Sequence, residues 1–303
     1  MIFTVTLNPS VDYTIHVDRL VNGAMNRTSK EEYSFGGKGI NVSRMLAELG
    51  LSSTVLGFVA GFTGKAIEGG IRSELIKTDF VTVGEGFSRM KIKIVSGGET
   101  EFSGQGPVIG EEAFNAFMDR LDAIKDGDTV IISGNIPETM PQDIYDVLLS
   151  RLSEKDVRVA LDLSGRQLLN CLGCRPFLIK PNLEEAAGLF DTDVTSCEAV
   201  EFCAAQLQMM GAQNVLISMG GDGALLMAAD GSCHRVRAVS GKVACGTGAG
   251  DSMLAGFVAG YEMKGDYGLA LRLGLACGSA TAFSRGPAKV DLIERLFHMY
   301  MKK

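Results

Sequence analysis

The sequence predicts an α/β fold in which helices cover both faces of a mainly parallel central sheet, and three observations carry that prediction. Short, continuously apolar runs of β type recur along the chain, as expected of strands buried on both faces. Amphipathic helical patterns lie between them. The 38 glycines exceed the average usage of about 7% and predict many tight turns at the junctions.

The elements follow in order. Residues 2 to 7 (IFTVTL) form the first apolar run, whereas TIHVD at 14 to 18 alternates apolar and polar residues with period two, the pattern of a strand with one covered face. Val42, Met45, Leu46 and Leu49 fall at i, i+3, i+4 and i+7, and Gly50 supplies a helix stop. A second buried strand is expected at 54 to 59. MKIKIV at 90 to 95 alternates again, with Met90, Ile92 and Ile94 facing one way and Lys91 and Lys93 the other. GGET at 97 to 100 then offers a hairpin turn, so this stretch reads as part of a small antiparallel flap. Phe114, Phe117, Met118 and Leu121 predict a helix, and strands are expected at 129 to 133, 157 to 163, 177 to 179 and 215 to 218. Leu254, Phe257, Val258 and Tyr261 share one face of a later helix. No linker, repeat or low-complexity tract divides the chain, so residues 1 to 303 are expected to form a single domain.

Composition narrows the function. The 29 Lys and Arg against 36 Asp and Glu leave a net charge of −7, which argues against nucleic acid or an anionic membrane as partner. Met1 leads directly into a strand with no basic n-region, and no apolar run reaches the 18 residues of a membrane span. An odd count of seven cysteines in a long chain points to a reducing, cytoplasmic location. Cys171-x-x-Cys174 lacks a second Cys pair or a His at ligand spacing, and His16, His234 and His298 form no catalytic arrangement.

Two glycine clusters can carry chemistry. Gly246-Thr247-Gly248-Ala249-Gly250-Asp251 opens a helix, where unpaired backbone N–H groups and the helix dipole favour an anion. Asp251 beside bound phosphates is repelled unless it takes a proton from an attacking hydroxyl; spacing alone equally allows a helix cap. The segment is no dinucleotide fingerprint, because Asp251 occupies the sixth position, and Gly64-Lys65 is no Walker A loop, because Val59 and Ala66 break it. The second cluster, Gly36-Gly37-Lys38-Gly39-Ile40-Asn41, combines a backbone nest with a cation and an amide that suit a sugar or a phosphate, or else forms a plain turn. Asp12 suits two sugar hydroxyls and Arg89 a phosphate, unless both are ordinary surface charges. Asn182 and Glu185 in KPNLEE either reach a Mg²⁺ shell through water or simply start a helix.

Taken together, GGKGINVSRMLAELG (36 to 50), KPNLEE (180 to 185), SMGGDG (218 to 223) and GTGAGDSMLAGF (246 to 257) resemble, in order and spacing over nearly the whole chain, the ribokinase-like (PfkB) carbohydrate kinase family. The resemblance implies a ribokinase-like αβα sandwich with a small β-sheet lid, formed here by about 10 to 35 and 88 to 106. It implies ATP and Mg²⁺ as cofactors, a small sugar phosphate as substrate, and a homodimer joined through the lid. By the same resemblance Asp251 is the general base, and Gly248, Ala249 and Gly250 form the anion hole. Asp12, Gly36, Gly37, Lys38, Asn41 and Arg89 hold the sugar phosphate. Lys180, Asn182, Ser218, Gly220 and Gly223, with Gly248 and Gly250, line the nucleotide side, and Glu185 organises Mg²⁺. TVTLNPSVD, GFSRMKIKI and ETEFSGQGP look most like the members that phosphorylate D-fructose 1-phosphate to the 1,6-bisphosphate. Members acting on tagatose 6-phosphate are the alternative, and a sugar-phosphate or nucleotide sensor on the same fold is the non-enzymatic one. Cys245-Gly246-Thr247 departs from the usual residues before GAGD and puts a monovalent-cation site in doubt, and Arg27 is expected to be a solvated strand-end charge or an aid to the phosphate.

Overall fold

The computed structural model describes residues 1 to 134, 136 to 190, 196 to 286 and 288 to 302. The first half contains β1 (Ile2–Thr6), β2 (Ser10–His16), β3 (Lys30–Gly36), α1 (Lys38–Glu48), β4 (Ser53–Ala60), α2 (Gly61–Ile71), β5 (Ile76–Val83), β6 (Arg89–Val95), β7 (Glu99–Ser103), α3 (Glu111–Asp122), β8 (Thr129–Ser133) and α4 (Ile144–Leu152). The second contains β9 (Arg158–Asp162), α5 (Gly165–Cys171), β10 (Leu178–Ile179), α6 (Leu183–Phe190), α7 (Cys197–Met209), β11 (Asn214–Ser218), β12 (Ala224–Met227), β13 (Cys233–Val236), α8 (Ala249–Lys264), α9 (Tyr267–Ala282) and α10 (Val290–Met301).

Among the described residues nine strands form one sheet in the order β13-β12-β11-β10-β9-β8-β1-β4-β5. Pairing is parallel from β5 through β11, and antiparallel only where β12 joins β11 and β13 joins β12. The parallel strands read as unbroken apolar runs because both faces are covered. In β8, Val130 and Ile132 enter the core shared with α3, α4 and α7, while Ile131 enters the opposite core shared with α1, α8, α9 and α10. This is the αβα sandwich expected above. β5, β12 and β13 were not foreseen: β5 is an edge strand whose IKTDFVTV is interrupted by Lys77 and Asp79 and so lacks an unbroken apolar run, and β12 and β13 are only four residues each.

The flap is present but differs from the expected antiparallel arrangement. Its four strands run in the order β3-β2-β6-β7, and the central pair, β2 with β6, is parallel. β2 leaves from the end of β1 and β6 from the end of β5, and those two strands of the main sheet run in the same direction, so their continuations do as well. The outer pairs are antiparallel, and the β6–β7 hairpin turns at Gly97, whose φ is +66°. Lys91 and Lys93 share one face of β6 and pair with Glu101 (2.6 Å) and Glu99 (3.0 Å) on β7.

α8 differs in a second respect. A single apolar stripe was expected, yet every residue from Asp251 to Gly260 is buried. The helix lies against α1 on one side and α9 on another, and glycine permits the approach: a Cβ at Gly256 would stand 2.7 Å from Cys277 Sγ and 2.8 Å from Leu273 O. Among the described residues no helix is long and apolar enough to cross a membrane.

Candidate active site

The site lies at the carboxyl ends of the parallel strands, where open α/β sheets place their ligands. α8 begins there with Gly248 as its cap, at φ +79°, a left-handed conformation that glycine adopts without strain. Asp251 is therefore inside the first turn rather than at the cap, which removes the capping alternative. Its Oδ2 accepts a hydrogen bond of 2.8 Å from Asn41 Nδ2 on α1, joining the two glycine clusters across 210 positions of sequence.

Asp251 is only 6% exposed. Burial, then the negative charge of Asp162, push its pKa from 3.8 up to about 6; the Asn41 hydrogen bond and the charges of Lys38 and Lys180 oppose this. Asp162, at the end of β9, is equally buried but titrates below the ordinary carboxylate range. Burial works against that shift, and Lys180 and Lys38 overcome it. The Asp162 oxygens divide between them, Oδ1 lying 3.1 Å from Lys180 Nζ and Oδ2 3.3 Å from Lys38 Nζ. Lys38 in turn is held above its ordinary value, because Asp162, Asp251 and Glu185 together outweigh its own burial.

Two cavities flank the loop that precedes α8. The larger, about 820 Å³, is lined by Asp12, Gly36, Asn41 and Gly248, with Arg44, Cys245, Thr247 and Ser252. The smaller, about 580 Å³, is lined by Ser218, Gly220, Gly246, Ala249 and Gly250, with apolar walls from Val243, Met253 and Phe283. The loop thus separates the two, and Asp251, which lines neither, lies in the first turn of the helix that follows it. The first Gly cluster needs its glycines: a Cβ at Gly36 would collide with the Asp12 carboxylate, and Gly37, at φ +133°, would bring one to 2.8 Å from Thr6 Oγ1. Asp12 accepts 2.6 Å from Ser10 Oγ. Arg89, at the start of β6, is partly buried beside Asp12, and its Nε is a buried donor without a partner among the described residues.

The expected nucleotide residues divide. Lys180 Nζ stands 3.2 Å from where a Gly250 Cβ would be, against the start of α8. Asn182 bridges to Ser218, so those two are neighbours at the strand ends. Asn182 and Glu185 also satisfy each other's backbone as a reciprocal capping box: Asn182 N donates to Glu185 Oε2 and Glu185 N to Asn182 Oδ1, both at 2.8 Å. Gly223 is buried at φ +97°, and a Cβ there would run into the backbone of Val236 and Ala238, so both its conformation and its packing require glycine.

Sequence reasoning missed Asp162, the buried carboxylate that pairs with both Lys38 and Lys180. The available signal was a lone carboxylate at the end of an apolar strand run, VRVALDL, which demands buried partners. Those partners come from positions 38 and 180, and nothing local announces them.

A buried carboxylate, a glycine-opened helix start and two adjoining cavities suit the transfer of a charged group. The model for the pfkB family of carbohydrate kinases matches residues 5 to 293, and the chain belongs to that family of phosphotransferases. It is 42% identical to 1-phosphofructokinase of Bacillus subtilis over 98% of this chain and 97% of the relative. It is 40% identical to D-tagatose-1-phosphate kinase of Bacillus licheniformis, over 97% of each. The crystal structure of phosphofructokinase-2 from Escherichia coli in complex with fructose-6-phosphate superposes with a TM-score of 0.90 at 26% identity, covering 99% of both chains.

Proposed function

We propose that the chain transfers the γ-phosphoryl group of MgATP to the C6 hydroxyl of D-fructose 1-phosphate, giving ADP and D-fructose 1,6-bisphosphate. One observation carries the reading: Asp251 accepts a hydrogen bond from Asn41, which lines the larger cavity, and directly follows Ala249 and Gly250, which line the smaller, so a candidate base adjoins both. Asp251 accepts the hydroxyl proton; with a pKa of about 6 it is roughly nine-tenths ionised at pH 7. The N–H groups of Gly248, Ala249 and Gly250 receive the spreading negative charge. Asp12, Gly36, Gly37, Lys38 and Asn41 hold the sugar, and Arg89, whose charge acts on Asp12, binds its phosphate. Lys180, Asn182, Ser218, Gly220 and the turn set by Gly223 form the ATP side.

Mg²⁺ would neutralise phosphate charge in the transition state. Among the described residues no group of three His, Cys, Asp or Glu could hold an ion unaided. That suits an ion carried by nucleotide phosphates and water, with Glu185, close enough to influence Lys38, as its carboxylate. The flap would close over the acceptor to exclude water. Tyr33 and Phe102, exposed on its outer strands, support pairing with a second copy through this sheet.

Relatives named for 1-phosphate esters favour fructose 1-phosphate over tagatose 6-phosphate and make tagatose 1-phosphate, which differs in one hydroxyl configuration, the second candidate. The test is ADP release with MgATP and fructose 1-phosphate, tagatose 1-phosphate, tagatose 6-phosphate or fructose 6-phosphate. The highest kcat/KM is expected for fructose 1-phosphate. No turnover on any of the four would overturn the kinase reading in favour of a sensor.

A further inference from the structure

We propose that Asp162 is a positioning residue that couples the two halves of the site, holding Lys38 of the acceptor side and Lys180 of the nucleotide side at once. The inference deepens the kinase reading and rests on it for the roles of the two lysines. Asp162 ends β9 directly opposite Ser133 of β8 in the sheet register. Ser133 Oγ is buried without a hydrogen-bond partner among the described residues, so this neighbour does not take over the Asp162 oxygens. Each oxygen meets a different lysine, Oδ1 at 3.1 Å and Oδ2 at 3.3 Å. With one oxygen per cation, neither lysine can leave without exposing a buried charge to an apolar sheet end.

The two lysines are unequally placed. Lys180 is 5% exposed and lies against the loop at Gly250, whereas Lys38 is 42% exposed and starts α1. Lys180 is therefore the more enclosed of the two, and Asp162 ties the more exposed Lys38 to it. Two cations balance two buried carboxylates, Asp162 and Asp251, before any substrate arrives. Phosphates entering from either cavity then meet lysines already oriented, so ordering is not charged to the binding step. Loss of the Asp162 charge frees both lysines, and both substrates lose affinity although Asp162 itself need touch neither.

The experiment uses the full chain and four substitutions. Asp162→Asn is expected to raise the KM of fructose 1-phosphate and of MgATP together, each by about tenfold or more, with Asp162→Glu recovering part of the loss. Calorimetric titration with a magnesium complex of a non-hydrolysable ATP analogue should show the same weakening for Asp162→Asn. In a Lys180→Met background, Asp162→Asn should add little to the loss of nucleotide affinity, because the two act as one unit. Both KM values within about twofold of wild type, or losses that simply multiply, would overturn the proposal. If Asp162→Asn does not fold, Lys38→Met decides the matter: Asp162 then faces Lys180 alone, and nucleotide affinity should weaken although the change is on the acceptor side. Unchanged affinity refutes the coupling. The titrations need no acceptor, so a wild-type chain that binds nucleotide but phosphorylates no sugar would overturn the kinase reading while the coupling is still decided.

Discussion

Asp251→Asn is expected to make the protein inactive and more stable at the same time. The carboxyl is raised from 3.8 to about 6 in the folded chain, a shift of about 2 pK units. At 1.36 kcal/mol per unit, keeping Asp251 ionised costs the fold about 3 kcal/mol. The sign follows from the direction: a carboxylate whose folded pKa is raised loses stability as pH climbs from its unfolded value near 3.8 to about 6, and the full penalty stands above that. A neutral amide of the same shape carries no such penalty, and it can still pair with Asn41. For 303 residues the unfolding entropy makes 1 kcal/mol worth about 1.6 °C, so the variant should melt up to about 5 °C higher at pH 7.5. The difference should shrink as the pH falls toward 4. Turnover should drop by about 10² to 10⁴, as on loss of a general base. The assay is a pair of thermal melts across pH 4 to 8 beside ADP-release kinetics. Equal melting at pH 7.5, or a gap that widens on acidification, would refute the electrostatic argument; near-wild-type turnover would refute the role.

Two further expectations test the flap and the helix packing. Arg89→Ala should raise the KM for the sugar phosphate by about tenfold to a hundredfold while the ATP KM changes little, since a charged hydrogen bond contributes about 1.5 to 3 kcal/mol to one substrate only; steady-state kinetics with each substrate varied will show it. Gly256→Val should cost about 3 kcal/mol or more, because its Cβ begins 2.7 Å from Cys277 Sγ and 2.8 Å from Leu273 O, and a denaturant titration with an unchanged midpoint would contradict the α8–α9 contact.

Much of the molecule was legible in the chain. Continuous apolar runs such as TVIIS and VLIS became the central parallel strands because a strand covered on both faces needs no polar alternation. Both glycine clusters stand where loops become helices, since backbone that must approach a phosphate or turn with positive φ leaves an unmistakable residue type. Asp12, Lys38, Asn41, Arg89, Lys180 and Asp251 were each visible as residues with chemistry to offer. The parallel β2–β6 pair was not, because strand partners 79 positions apart are chosen by where the main sheet launches them, and alternation reports only that one face is covered. α8 read as amphipathic although it is buried all round, because the burial comes from α9 meeting its glycine side.

The sequence by itself determined the layers, the loops and the identity of the reactive groups, all of which depend on local periodicity and on the conformational freedom of glycine. Only the tertiary structure decided the electrostatics. The hydrogen bond from Asn41 to Asp251 and the sharing of Asp162 between Lys38 and Lys180 join residues more than 100 positions apart at least once each. A carboxylate's pKa follows its burial and its nearest charges, and neither exists until the sheet brings those strand ends together.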